Sequence, residues 1–69
     1  MSSIAKRLGK KIKLARVEKD MSQSNLANEA DIDSSHIGKI ERGELNITVI
    51  TLYRLAEALG CSPSVLLPE

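Results

Sequence analysis

Between Gln23 and Arg42 the chain carries a spacing that few folds accept. Counting Gln23 as the first position, apolar side chains fall at the fourth (Leu26), tenth (Ile32), fifteenth (Ile37) and eighteenth (Ile40). A small one, Ala27, falls at the fifth. Two short helices that cross at a steep angle need a side chain of almost no volume where their axes approach. The apolar positions then glue both helices to the rest of the domain, and the polar face of the second helix is left outward. The spacing predicts a helix-turn-helix rather than an ordinary αα-hairpin with a polar outer face.

Around this motif the sequence predicts five short helices and no strand, an all-α, compact five-helix bundle spanning residues 1–69 as one domain. The first helix runs from about Ser3 to Lys19, with Ile4, Leu8, Ile12 and Ala15 on one face at a 3.6-residue period. Gly9 interrupts it and weakens it slightly. Leu14 falls off the stripe and is expected to be half exposed. Ser22 caps a second helix from Gln23 to Ala30, whose inward residues are Leu26, Ala27 and Ala30. Asp31 tolerates the left-handed conformation that ends a helix, though less well than glycine. Asp33 caps the third helix, Ser34 to Arg42, which Gly43 stops. Thr48 caps the fourth, Val49 to Leu59, with Leu52, Leu55, Ala56 and Leu59 inward and Gly60 after it. Ser62 and Pro63 open a last turn through Leu67.

A chain of 69 residues buries only about 60% of the surface it exposes when unfolded, so its core is marginal. One Cys and one His, Cys61 and His36, rule out an internal disulfide and a zinc staple. Oligomerisation is the remaining support. A lone Cys suits a reducing cytoplasm. No apolar run approaches the ~20 residues that span a bilayer, and the N-terminus lacks the apolar region of a signal peptide. We therefore expect a soluble cytoplasmic protein without metal or cofactor, and no small-molecule ligand is suggested.

The net charge is +1, but it is unevenly spread. Residues 1–19 carry seven positive charges and one negative, and residues 20–69 carry three positive and eight negative. Such asymmetry steers a polyanion to one face, although a solvated Lys-rich helix looks the same on charge alone.

On the third helix the outward residues are Ser34, Ser35, Gly38 and Lys39, with His36 at the edge. Ser and Lys side chains hydrogen-bond base edges, Lys favouring guanine acceptors. Gln23 and the backbone N–H groups just after Ser22 lie at a helix N-terminus, where the dipole and free donors favour an anion. Arg42 and Asn46 are placed to flank the other side of a groove, with Lys13 adding charge. These residues make double-stranded DNA the expected partner. A catalytic site is not expected, because His36, Cys61 and the carboxylates lie on different helices and no phosphate loop or nucleophile motif accompanies them. Single-stranded RNA is disfavoured, since its readers need aromatic stacking platforms and Tyr53 is the only aromatic residue.

One reading helix covers only a few base pairs. Two-fold dimers place two of them in successive major grooves, about 34–36 Å apart. Leu45, Ile47 and Ile50 lie outside the core stripe of the fourth helix, and Val65, Leu67 and Pro68 add apolar surface at the C-terminus. With Tyr53 at its edge, this set is the expected homodimer interface, although scattered surface hydrophobes are common. The implied target is an inverted repeat.

The stretch SQSNLANEADIDSSHIGKIERGELNITVITLYRLAEALGCSPSVLL resembles the lambda-repressor-like domain, the Cro/C1-type or XRE helix-turn-helix family. The resemblance runs from about Leu8 to Leu67. It is carried by Ser22-Gln23, Leu26-Ala27, Ile37, Ile40-Glu41-Arg42-Gly43 and Leu55-Ala56-Glu57-Ala58-Leu59-Gly60. It implies a bundle whose third helix is the reader, and a transcriptional repressor or regulator of phage, plasmid or restriction-modification genes. At matching positions it implies that Gln23 clamps a phosphate and that Ser34 and Ser35 point at bases. It also implies that Arg16 and Glu41 form a structural ion pair. Each of those two is a charge beside an otherwise apolar face, better explained by a partner. Asp31 departs from the turn glycine common in the family, His36 from a frequent aromatic, Ile47 from a common Pro and Ile50 from a polar residue. The alternative on the same fold is an antitoxin or other protein-interaction module. It is the less expected of the two, since an antitoxin usually carries extra chain to cover its toxin.

Overall fold

The structure, a computed structural model, describes residues 3–68. The order is α1 (Ser3–Glu18), α2 (Gln23–Ala30), α3 (Ser34–Glu41), α4 (Val49–Leu59) and α5 (Pro63–Leu66). Each boundary has a local cause. Ser22 Oγ accepts from the Asn25 N–H at 3.0 Å while Asn25 Oδ1 accepts from the Ser22 N–H, a closed capping box. Thr48 Oγ1 accepts from the Thr51 N–H at 3.1 Å. Ser62 with Pro63 at the first helical position opens α5. Asp33 sits at the N-cap of α3 in extended conformation but makes no side-chain cap bond.

Asp31 ends α2 at φ 58°, ψ 48°, and the Ile32 N–H reaches back to the Ala27 carbonyl at 2.9 Å. That 6→1 bond is the signature of a helix closed by a left-handed residue, here an aspartate in place of glycine. A second aspartate, Asp20, does the same after α1 at φ 56°, with the Met21 N–H bonded to the Arg16 carbonyl at 3.1 Å. The ends differ slightly from the sequence expectation: α1 stops at Glu18, α3 at Glu41 with Arg42 as its C-cap, and α5 at Leu66.

The core is assembled from all five helices. The largest fully buried side chains are Ile12, Leu26, Ile37, Leu55 and Leu66, one from each. Burying an aliphatic side chain of this size is worth roughly 1.5–3 kcal/mol, so loss of any helix exposes the others' anchors. Leu8, Ala15, Ile32, Leu45 and Ile47 pack around this centre half-buried.

On α1 the inward line differs from the periodicity of the large side chains. Ile4 is 64% exposed, while Ala5, Gly9 and Ile12 are buried. The line therefore runs through two of the smallest residues in the helix. Gly9 is the reason. A methyl group there would collide with the backbone oxygen of Ile40 and stand 2.7 Å from that of Glu41. α1 rests on the C-terminal turn of α3 at backbone distance, which only a residue without Cβ permits. Gly9 is thus a packing requirement rather than a weakness of the helix.

Candidate nucleic-acid interface

α2 and α3 meet with Leu26, Ala27 and Ala30 buried on one side and Ile37 and Ile40 on the other. With those residues committed to the interior, Ser34, Ser35, His36 and Lys39 of α3 are exposed. Ser35 and Lys39 are one turn apart and share a face. Gly38, expected on the same face, is instead buried. The cover comes from side chains that arch over it. The position of a Cβ on Gly38 is 3.2 Å from Arg42 Nη1 and 3.7 Å from Gln23 Oε1. Gln23 from α2 and Arg42 from the end of α3 therefore converge across the helix through the gap that a glycine leaves.

Both arms are held. Arg16 on α1 donates from Nε to Glu41 Oε2 at 2.7 Å and from Nη2 to Glu41 Oε1 at 3.1 Å. Its remaining Nη1 donates to the Met21 carbonyl at 2.8 Å. The two side chains are 12% and 3% exposed, and Gln23 Nε2 adds a third bond to the same carboxylate at 3.0 Å. Buried charges are tolerated only when paired and hydrogen-bonded, and among the described residues no buried side-chain polar atom lacks a partner. Gln23 is thereby tied to the Arg16–Glu41 pair, a link the sequence spacing did not reveal.

Arg42 is held from the other side by Glu44, which sequence reasoning passed over. Nε donates to Oε2 at 2.8 Å and Nη2 to Oε1 at 3.3 Å, with both side chains more than half exposed. The hydrogen bond, more than the charge, pulls the Glu44 carboxyl below the usual carboxylate range and raises Arg42. The available signal was the opposite charges two residues apart across the Gly43 turn.

At the start of α2, Ser22 Oγ is spent on the Asn25 N–H and the Ser22 carbonyl on the Leu26 N–H. The Gln23 and Ser24 N–H groups have no partner among the described residues. They are the donors left for an anion at this terminus. Lys13 is exposed on α1 and shares a groove with Lys6, Lys10 and Arg42, so the basic helix borders the C-terminal end of α3. Asn46 is exposed and lines a shallow depression with His36. Among the described residues no cluster of His, Cys, Asp or Glu suits a metal ion, and no helix is long and apolar enough to cross a membrane.

The residues expected at a dimer contact fall in three places. Ile50 and Tyr53 are 67% and 59% exposed on the outer face of α4 and line an apolar groove with Val49, Arg54, Glu57 and Cys61. Val49, 69% exposed, was not singled out from the sequence. Leu45 and Ile47 are half-buried, pack on the protein's own core and close against Ile4, Ala5 and Leu8 of α1. Val65 and Leu67 are exposed on α5 and just after it, while Pro68 is half-buried beside Arg7, Lys10, Lys11 and Leu14.

The sequence pattern of the helix-turn-helix family matches residues 12–66. The control protein C.MunI of Mycoplasma sp is 34% identical over all of this chain and 95% of its own length. The restriction-modification controller protein C.AhdI of Aeromonas hydrophila superposes with a TM-score of 0.93 at 31% identity, covering 94% of this chain and 98% of that one. The controller protein C.Esp1396I, solved as a tetramer in complex with its natural 35 base-pair operator, superposes at 0.88 with 32% identity, covering 96% and 87%.

Proposed function

The chain belongs to the helix-turn-helix family, of the XRE or lambda-repressor-like kind, and from that premise we propose that it controls transcription by binding an inverted-repeat operator as a dimer. The family is one of transcription regulators and not an enzyme class. The observation that carries the assignment is the exposed Ser34–Ser35–Lys39 face of α3, flanked by the open N-terminus of α2. Ser35 and Lys39 read base edges, with Ser34 and His36 beside them. Gln23 and the first-turn amides of α2 hold one backbone phosphate, and Arg42, Asn46 and Lys13 hold phosphates across the groove. The Arg16–Glu41 pair fixes the angle of the reader by joining α3 to α1.

An eight-residue reader spans few base pairs. Two copies joined through the apolar outer face of α4, with Ile50 and Tyr53 at its centre, set two readers in successive major grooves. Genes of a restriction-modification or phage-type system are the proposed targets, after the relatives C.MunI and C.AhdI. With control-protein relatives from Mycoplasma and Bacillus, the proposed site of action is the cytoplasm.

A gel-shift titration with duplex from upstream of its own gene tests this. We expect retention of the upstream duplex at concentrations where a shuffled duplex stays free, with two protomers per site. Equal retention of both duplexes would refute sequence-specific control.

A further inference from the structure

Arg42 carries two constraints at once. Its Nε and Nη2 are engaged by the Glu44 carboxylate at 2.8 and 3.3 Å, and its Nη1 lies over Gly38, in the gap on the reading side of α3. Both N–H groups of Nη1 and the second N–H of Nη2 are left for an outside acceptor, and the contact with Glu44 sets where they point. A free arginine presents its whole fork to any phosphate and binds it bidentately. A carboxylate occupies the Nε–Nη2 edge in the same geometry, so Glu44 stands where a phosphate on that edge would sit, and the Nη1–Nη2 end stays open in one direction.

We infer that Glu44 is a specificity-determining residue that acts as an internal phosphate mimic, holding Arg42 in one pose so that it engages DNA only in the correct register. This rests on Arg42 being a phosphate contact. On a matched site, the phosphate beside Gly38 meets the aimed Nη1 without disturbing the pair. On unmatched DNA, bound in shifted registers, the phosphates lie off the line of that free end, and Arg42 reaches one only by turning away from Glu44. The pair is exposed and weak enough to open. It subtracts mainly from non-specific binding, the term that basic side chains dominate. Gly38 belongs to the device, because a side chain there would displace Nη1.

The test measures binding by fluorescence anisotropy on the upstream duplex and on a shuffled duplex, across a salt series. Wild type is compared with Glu44→Gln, Arg42→Ala and the double variant. Glu44→Gln should tighten binding to shuffled DNA by about threefold to tenfold and steepen its salt slope by about one. It should tighten the upstream duplex less, so the specificity ratio falls. In the Arg42→Ala background the same substitution should do nothing, because Glu44 acts through Arg42. Equal tightening with and without Arg42 would mean general repulsion of DNA by an acidic residue and would overturn the proposal. No change on Glu44→Gln while Arg42→Ala weakens binding would overturn it alone, leaving Arg42 as a phosphate contact. No effect of Arg42→Ala on either duplex would remove both.

Discussion

Arg16 of α1 and Glu41 of α3 are joined by two hydrogen bonds of 2.7 and 3.1 Å, with Glu41 almost wholly out of solvent. The pair joins α1, which rests on α3, to the helix that carries the proposed reading face. Removing one partner of a buried pair strands the other and costs ~3–5 kcal/mol. A double-mutant cycle with Arg16→Met and Glu41→Gln, followed by urea unfolding, should therefore give a coupling energy well above the ~0.2–1 kcal/mol of an exposed pair. Coupling within the exposed range would mean that the two charges are solvated in solution.

Gly9→Ala should destabilise the fold, against the helix propensity of the two residues. Alanine gains about 1 kcal/mol in a helix interior. Its methyl, however, meets the backbone oxygens of Ile40 and Glu41, which move only if α3 moves. Overpacking typically costs about 1–3 kcal/mol, and a clash with backbone belongs at the upper end. A net loss of about 1–2 kcal/mol in denaturant unfolding is expected. A variant as stable as wild type would show that the two helices sit further apart.

Lys39→Ala should lower affinity for the operator by about 1–3 kcal/mol and leave affinity for unrelated DNA nearly unchanged. Competition binding against shuffled duplex measures both. Equal losses would make Lys39 a phosphate contact.

Ile50→Lys places a charge in the middle of the exposed apolar face of α4. Sedimentation should show wild-type dimers and a variant shifted to monomer, with circular dichroism unchanged, because Ile50 is outside the protein's own core. A variant that sediments like wild type would place the contact elsewhere.

The helices were legible because their ends are encoded locally. Ser22, Thr48 and Ser62 cap through their own side chains, and Gly60 and Asp31 terminate by their own backbone conformation. The exposed positions of α3 followed from the spacing of Leu26, Ile37 and Ile40. What the sequence concealed depends on partners distant in the chain. Gly9 reads as a helix defect until the α3 backbone lies against it. Ile4 falls on the period of the large side chains, yet close approach to α3 selects the small line through Ala5 and Gly9. Leu45 and Ile47 lie in a connection without periodicity, where an apolar residue reads as surface although these two pack on the core. The Gln23–Glu41 bond and the burial of Gly38 beneath two polar arms have no sequence pattern of their own.

The proposed reader is the exposed face of α3, backed by the N-terminus of α2. Amide chemical-shift mapping of the preformed dimer titrated with its upstream duplex tests it most directly. The largest perturbations are expected at Gln23, Ser34, Ser35, Gly38 and Lys39, with smaller ones at Arg42, Asn46 and Lys13 and none at Ile50 or Tyr53. Perturbations centred on the basic outer face of α1, with α3 silent, would contradict it.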